Sequence, residues 1–349
     1  MFLPSYRYTP AITEALAEME RLCARFAAGG PDLEGRVPAR RAAIARRAAG
    51  AARLDGIAVD SAEAARILTG EAGAYPARTA HAVTAYAFTL EQIAGDWPAN
   101  REITSLPIIA GLNFFLTHDP ARRGPPPGLR REATALCDMR DGRPLALTPP
   151  PAAIRPALQE LVAWLHSARY AVAPAIRAAI ACARIQQIQP QQEANARTAC
   201  AYTALLLHRA DLLPDGLPGI EAAFAADADR FYAALLTALP PAPDAPAEWT
   251  PWLEYFLGVL RDELRTLQSG TRPRPDRGPA PVRLNPRQRR ILELLAPPGA
   301  SLANQECQQM FAVSPVTAAR DFRELVDLGL VEMHGQGRAT YYVRVPPPA

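Results

Sequence analysis

Hydrophobic residues recur every three or four positions through most of the first 270 residues, and this spacing predicts a largely helical body. Thr9 and Pro10 have the pattern of a helix start, and Gly56 and Gly70 follow helical segments as stop signals. The stretch 135–151, "ALCDMRDGRPLALTPPP", does not have this period. Its extended residues flank Asp141-Gly142, which predicts a short β-hairpin.

A break in this pattern lies at residues 269–281, "SGTRPRPDRGPAP". This stretch combines proline, glycine and arginine without hydrophobic residues that could anchor it in a core, which is typical of a linker. We therefore expect an N-terminal helical region over residues 1–90, a core over 91–268, a linker over 269–281 and a small module over 282–349.

The C-terminal module has its own order of elements. Asn285 and Pro286 predict the start of one helix, "LANQECQQMFA" a second, and Ser314 with Pro315 the start of a third. "LVEMHGQGRATYYVRV" then reads as strand, glycine turn and strand. Helix, helix, turn, helix and a two-stranded wing is the order of a winged helix-turn-helix domain.

The third helix of this module is amphipathic. The side chains predicted to face its core are Val316, Phe322, Leu325 and Val326. On the outer face and at the wing tip, the residues predicted to contact DNA are Ser314, Thr317, Arg320, Arg323 and Arg338. The module carries eight arginines against six acidic residues, so it is only mildly basic. Winged helices also serve as protein-docking or dimerisation modules, and in that case these arginines would simply be solvated.

Composition limits the remaining functions. The net charge is +3, and every fixed positive side chain is arginine, a residue that can bind phosphate through two hydrogen bonds. The protein as a whole is not a polycation, so a nucleic-acid contact has to come from a local patch. The five cysteines have no CxxC spacing, and the five histidines form neither HxxxH nor HExxH, which argues against a zinc site. No apolar run is long enough to span a membrane and no export leader is apparent, so we expect a cytoplasmic protein with reduced cysteines.

One polar turn stands out in the middle of the body. Residues 189–197, "QPQQEANAR", separate two apolar helical segments. A helix N-terminus presents unpaired N–H groups and partial positive charge, so Asn195 and Arg197 there could bind nucleotide phosphates. Glu193, next to them, could hold a divalent cation. The same residues would equally suit an ordinary helix start with an exposed arginine.

This turn resembles the motif of the Fic (Fido) family, His-Pro-Phe-x-(Asp/Glu)-Gly-Asn-Gly-Arg. The matching positions are Pro190, Glu193, Asn195 and Arg197. Further segments in the family's order, among them "ARLDGIAVDSAEAARILTG" and "RPLALTPPPAAIRPALQELVAWL", extend the resemblance to nearly the whole chain. The resemblance implies a mainly α fold: a Fic-like helical domain with a β-hairpin flap, then a winged helix. It also implies ATP with Mg²⁺ as the ligand of the turn and AMP transfer to a protein hydroxyl as the activity.

The chain departs from the family motif at its chemical positions. Gln189 stands where the family has the histidine that acts as general base, and an amide cannot accept that proton. Ala194 and Ala196 replace the two glycines, so a Cβ crowds the phosphate and a positive φ becomes costly. Gln191 replaces the aromatic residue that anchors the loop. Each change predicts loss of activity.

The segment that resembles the family's inhibitory motif has changed as well. In the family a glutamate of this motif pairs with the motif arginine and blocks productive binding of ATP. Here Ala51 replaces the hydroxyl residue and Asp55 replaces the glutamate, whereas Gly56 is kept. Asp55 has one methylene less, so an ion pair with Arg197 requires closer approach. We expect the pair, where it forms, to be structural.

Three functions are consistent with these residues. The first is a catalytically degenerate Fic-like protein that regulates transcription as a DNA-binding homodimer and has no certain cofactor. The second is a divergent adenylyltransferase, whose base would be Glu193, His166 or His208. The third binds a nucleotide at Pro190–Arg197 without turning it over and so switches the winged helix.

Overall fold

The computed structural model describes the chain except for residues 1, 30–32, 100–102, 120–127, 214–217, 241–246, 271–283, 298–299, 312, 328–329, 336–339 and 346–349. The chain divides into two compact units, Met1–Arg277 and Gly278–Ala349. Most of the predicted linker, residues 271–281, lies outside the described residues. Its first two residues, Ser269 and Gly270, are still helical.

In its described residues, the first unit consists of helices and one β-hairpin, joined by loops. Its helices are α1 (Pro10–Gly29), α2 (Leu33–Leu54), α3 (Ser61–Arg66), α4 (Ala77–Ala94), α5 (Leu106–Thr117), α6 (Pro151–Ser167), α7 (Pro174–Ile188), α8 (Asn195–His208), α9 (Ile220–Ala226), α10 (Ala228–Thr237) and α11 (Thr250–Gly270). A π-helical turn, Ile67–Glu71, and a 3-10 turn, Ala72–Ala74, follow α3. The predicted mainly α fold is confirmed.

Helices α7 and α8 form the centre of this unit. Nearly every side chain of both helices is buried, and many of these are alanine, which allows helices to approach closely on several sides. A helix this apolar all round has to lie inside the protein. The polar turn between the two helices is therefore held by a rigid core on both sides.

Helices α2 and α9 meet at a glycine. A Cβ on Gly50 of α2 would lie 2.5 Å from the backbone nitrogen of Ala222 in α9, so only glycine fits at this crossing. Beside the crossing, Arg47 and Tyr86 both donate to the carboxylate of Glu221, whose side chain is fully buried. These contacts fix the position of α2, and hence of the residues that follow it.

The predicted hairpin is present. Strand β1 (Ala135–Cys137) pairs antiparallel with β2 (Pro144–Leu147), with Leu136 opposite Ala146. Gly142 in the turn has φ +75°, a left-handed conformation that favours glycine. The Asp-Gly turn signal thus located the hairpin correctly.

The second unit contains α12 (Pro286–Leu294), β3 (Ser301–Ala303), α13 (Asn304–Phe311), α14 (Pro315–Asp327), β4 (Val331–His334) and β5 (Tyr341–Arg344). Its strands form an antiparallel sheet of order β3-β5-β4. The sequence did not predict β3. The order of the remaining elements agrees with the predicted one, and its assignment as a winged helix stays a prediction.

The core of the second unit corrects one prediction. Ala318, Phe322 and Leu325 of α14 are fully buried, and Phe322 stacks on Tyr342 of β5 with ring centroids 3.9 Å apart. Val326 was predicted to face this core, but it is 37% exposed. Since Leu325 already points inward, its neighbour lies 100° further round the helix, toward solvent.

Candidate functional site

The turn between α7 and α8 has two residues in the left-handed region. Gln189, directly after α7, has φ +46°, and Ala194, directly before α8, has φ +61°. Neither residue is glycine, so each position carries a steric cost of about 1 kcal/mol or more. The expected conflict between a Cβ and a positive φ is present at Ala194. Ala196 lies within the helix and does not have it.

The side chain of Asn195 closes this turn on itself. Its Oδ1 accepts from the backbone N–H of Gln191 at 2.8 Å, and its Nδ2 donates to the carbonyl of the same residue at 3.0 Å. Asn195 was predicted to bind nucleotide, and this stays a prediction. In this structure each polar atom of its amide makes a hydrogen bond within the loop.

Arg130 holds the turn from the outside. Its Nε donates to the carbonyl of Gln189 at 2.7 Å, and its guanidinium also donates to Glu132 O, Thr148 Oγ1 and Pro149 O. Its backbone N–H donates to Pro190 O at 3.0 Å. Burial lowers the pKa of Arg130, because the guanidinium has exchanged water for protein carbonyls and a hydroxyl. Arg130 thereby joins the turn to the residues that begin and end the hairpin.

Asn113 also holds the turn through hydrogen bonds. This residue of α5 is 1% exposed, and its Nδ2 donates to Glu193 O at 3.1 Å and to Thr198 Oγ1 at 3.0 Å. One buried amide thus ties the end of the loop to the first turn of α8.

Asp55 occupies the N-terminus of α8. Its Oδ1 accepts from the backbone N–H of Ala196 at 2.9 Å, and its Oδ2 lies 2.6 Å from Nε of Arg197 and 3.4 Å from that residue's backbone nitrogen. The two side chains are 12% and 8% exposed. The ion pair that the sequence left open is therefore formed. The carboxylate takes N–H groups that an anion bound at this helix start would use.

Gly56 connects Asp55 to the hairpin. It has φ +74°, and a Cβ there would lie 2.9 Å from Cε of Met139 in the hairpin turn. The backbone N–H of Met139 donates to the Tyr232 hydroxyl at 3.3 Å. The buried carboxylate of Asp138 accepts from Arg140, which holds the pKa of Asp138 at about 2. Gly56 thus permits the hairpin turn to pack directly over the segment that follows α2.

Gln189 and Glu193 lie at opposite ends of the turn. The Gln189 Nε2 donates back to the carbonyl of Gln186 at 2.8 Å, so the amide is directed at the end of α7. Glu193 is exposed, whereas Pro190 is buried. One turn into α8, the pKa of the Cys200 thiol is raised well above its ordinary value by its hydrogen bond with Cys182 and by burial, so this thiol is not a nucleophile at neutral pH.

The other predicted bases lie on different elements. His208 is at the C-terminal end of α8, where burial lowers its pKa and its Nε2 is 3.7 Å from Asp96. His166 is exposed near the end of α6. Neither histidine lies within the turn 189–197. In the part of the chain that the structure describes, no group of three or more His, Cys, Asp or Glu residues is arranged to hold a metal ion.

In the second unit, α14 presents the residues predicted to contact DNA. Ser314 Oγ accepts from the backbone N–H of Thr317 at 3.2 Å and so caps the helix. Arg320 and Arg323 are exposed, and Thr317 is half-buried. The predicted wing residue Arg338 lies outside the described residues. On the inner side, the fully buried Asp321 accepts from Asn285 and Arg287, which fixes α14 against α12.

Sequence reasoning missed several residues that hold the site. Asn113 is the single amide within the apolar stretch "LPIIAGLNFFLT", and that isolation was a usable signal. For Arg130 and Met139 the sequence carried no comparable signal, because their contacts join residues from different parts of the chain.

Comparisons with known proteins agree with this architecture. Residues 118–207, which run from the end of α5 through the turn to α8, match the model of the Fic/DOC family. A Fic family protein from Desulfovibrio desulfuricans superposes with a TM-score of 0.63 at 18% identity, covering 100% of this chain and 99% of its own. A Fic domain containing signaling protein from Bacteroides thetaiotaomicron gives 0.55 at 16% identity, covering 76% and 100%. Fic-1 (residues 134–508) from C. elegans gives 0.54 at 16% identity, covering 74% and 72%.

The chain therefore contains a Fic family domain, and the body around it has a Fic-like fold. The search of curated proteins gave no match. Identities of 16–18% establish the fold and carry no activity with them. Across the described residues, no helix is both long and apolar enough to cross a membrane.

Proposed function

We propose that this protein is a DNA-binding transcriptional regulator whose Fic-like body does not transfer nucleotides. The observation that carries the proposal is the division of α14 into two faces. Ala318, Phe322 and Leu325 fill the core of the second unit, whereas Arg320 and Arg323 are left in solvent on a capped helix. In a winged helix, this helix is the one that enters the major groove.

The turn before α8 supports the first part of the proposal. Transfer of AMP to a hydroxyl requires a group that accepts the hydroxyl proton. The amide of Gln189 cannot accept it, and its Nε2 donates to the carbonyl of Gln186 in α7. The donors that would meet a phosphate, Ala196 N–H and the Arg197 guanidinium, hold the carboxylate of Asp55. While that pair is formed, the residues at this helix start do not fit ATP with Mg²⁺.

DNA binding can be tested on the full chain. Fluorescence anisotropy would follow its binding to the DNA upstream of its own gene at several salt concentrations. We expect affinity that falls with salt, and a loss of about tenfold or more in Arg320→Ala if this arginine contacts a base. Arg290→Ala is the matched control. Arg290 is an exposed arginine of α12 and pairs with Glu293 as Arg320 approaches Glu324.

Two results would contradict the proposal. An affinity for DNA that does not change with salt concentration, or that falls equally in Arg320→Ala and Arg290→Ala, would exclude recognition of DNA through α14. Incorporation of labelled AMP into protein from ATP, abolished by Arg197→Ala, would favour the alternative of a divergent adenylyltransferase. Binding of ATP without such incorporation would favour a nucleotide-responsive regulator.

A further inference from the structure

Helices α2, α9 and α11 line an open surface cavity of about 340 Å³ on the first unit, at the C-terminal half of α2. The face of α2 that lines it is Arg46, Ala49, Gly50 and Arg53, which are spaced i, i+3, i+4 and i+7. Ala222, Ala223 and Ala226 of α9 complete its floor, with Ser61 and Glu263 at the edge. A volume near the lower end of the range for ligand pockets suits a small molecule.

The cavity is preformed because its floor cannot collapse. Gly50 and Ala222 already touch through their backbones, so α2 and α9 cannot move closer together. The remaining floor residues are alanines, whose single methyl groups are too short to fill the space.

The two long side chains that could fold into the cavity are tied at its edge. Arg46 donates through Nη1 and Nη2 to the carboxylate of Glu263, at 3.0 and 2.5 Å. The Glu263 carboxylate also accepts from Gly219 N–H at 2.9 Å, which fixes the pair in place. Arg53 donates through Nη2 to Ala225 O at 2.7 Å. Both guanidinium groups are thus held at the edge, and the apolar floor stays uncovered.

The charges at the edge of the cavity favour a ligand with a negative charge. Two guanidinium groups face one carboxylate, so the cavity has an excess of one positive charge. Arg46 is neutralised by Glu263, whereas the partner of Arg53 is a neutral carbonyl. A guanidinium carries five N–H donors, and the bond to Ala225 uses one of them. Arg53 is therefore the group that would pair with an anion.

We propose that this cavity binds a small amphipathic carboxylic acid, with its carboxylate on Arg53 and its apolar part on the alanine floor between α2 and α9. The proposal concerns binding to the body alone and does not depend on DNA binding or on loss of nucleotidyl transfer.

Saturation-transfer NMR on the full chain can test this with benzoate and hexanoate as probes. Benzylamine and benzamide, which have the same ring with positive and neutral groups, are the matched control ligands. We expect binding of both acids with a dissociation constant in the millimolar range, as is usual for so few atoms, and weaker or undetectable binding of the two control ligands.

Variants locate the site. Arg53→Gln removes the guanidinium and its charge and leaves a shorter, neutral polar side chain, and we expect it to weaken benzoate binding at least tenfold. Ala223→Leu places a larger side chain in the cavity, and we expect it to abolish binding of both acids. Arg169→Gln, at an exposed arginine in the turn after α6, should leave binding unchanged.

The proposal is overturned by any of three results: neither acid binds, benzylamine binds as well as benzoate, or Arg53→Gln binds benzoate like the unaltered chain. Should Ala223→Leu fail to fold, Arg53→Gln still decides the outcome, because Arg53 is exposed and its replacement does not disturb the core.

Discussion

Asp55 places its Oδ2 2.6 Å from Nε of Arg197, a residue 142 positions later in the chain. Its Oδ1 accepts from the backbone N–H of Ala196. One carboxylate thus pairs with a buried guanidinium and caps the helix that carries it. This contact joins the end of α2 to the start of α8, and its stability can be measured.

Removal of the Asp55 carboxylate should strongly destabilise the first unit. Asp55→Ala leaves the guanidinium of Arg197 buried without its ion-pair partner, which typically costs about 3 to 5 kcal/mol. Urea unfolding followed by tryptophan fluorescence gives the free energy of unfolding. All four tryptophans lie in the first unit, so this signal reports on it alone.

Asp60→Ala is the control for that prediction. Asp60 also caps a helix, α3, but it does so at the surface within a local capping box. Its loss should cost about 1 kcal/mol. Equal effects of the two substitutions would show that Asp55 contributes only as a helix cap.

Glycine substitutions at Ala194 and Ala196 should have different effects. Both residues are 5% exposed, so each variant loses a similar buried methyl group. At Ala194, where φ is +61°, glycine relieves steric strain, whereas at Ala196 it adds flexibility inside a helix. We expect Ala196→Gly to be less stable than Ala194→Gly by about 1 kcal/mol or more in the same urea experiment. The reverse order would mean that the left-handed turn is not present in solution.

Alanine at Gly50 should disrupt the contact between α2 and α9. The added Cβ would meet the backbone of Ala222 at 2.5 Å, and backbone atoms cannot move aside as a flexible side chain can. We expect a loss of about 2 kcal/mol or more in the free energy of unfolding, within the range for overpacking in a core.

Gly258→Ala provides the matched comparison for Gly50→Ala. Gly258 lies in α11, and a Cβ there has nothing within 4 Å. Since alanine is the better helix former, we expect a gain of about 0.5 to 1 kcal/mol. A similar loss in both variants would contradict the close helix contact at Gly50.

The contribution of Asp138 should depend on pH. Its pKa is lowered from 3.8 to about 2, mainly by its hydrogen bonds with Arg140. A carboxylate with a lowered pKa stabilises the fold above the unfolded-state pKa, and this stabilisation is lost as pH falls from about 4 to about 2. The difference in stability between the unaltered chain and Asp138→Asn should therefore shrink over this range.

Asp141→Asn serves as the control for the pH series. Asp141 lies in the same hairpin turn, but its side chain is 59% exposed. We expect urea midpoints of this variant to follow those of the unaltered chain between pH 7 and pH 2. A difference for Asp138→Asn that stays constant with pH would mean that the ion pair with Arg140 does not form.

The sequence determined the local elements well where periodicity or a turn signal was present. The helix start at Pro10, the helix that ends before Gly56, the hairpin at Asp141-Gly142 and the cap at Ser314 were all located in this way. β3 was missed because three residues are too few to show alternation. Val326 was assigned to the wrong face because it lies about 100° round the helix from Leu325, which takes the buried position.

The sequence predicted where the candidate site lies in the chain, but it did not predict which contacts the residues of the site make. Motif resemblance placed Pro190, Glu193, Asn195 and Arg197 in one turn, and helix physics gave that turn an affinity for anions. Neither could show that the Asn195 amide is hydrogen-bonded to Gln191 within the loop, or that Arg130 donates to the carbonyl of Gln189.

The amino-acid sequence by itself determined that this chain has a helical body and a separate C-terminal unit, because hydrophobic period, helix caps and turns depend on neighbouring residues. The Fic-like character of the body was implied by the resemblance of residues 189–197 to the family motif. Only the tertiary structure decided that the anion site of α8 holds Asp55. That contact depends on where α2 ends in space, which is set by packing at Gly50 and by the buried carboxylate of Glu221. Such long-range packing has no counterpart in local sequence pattern.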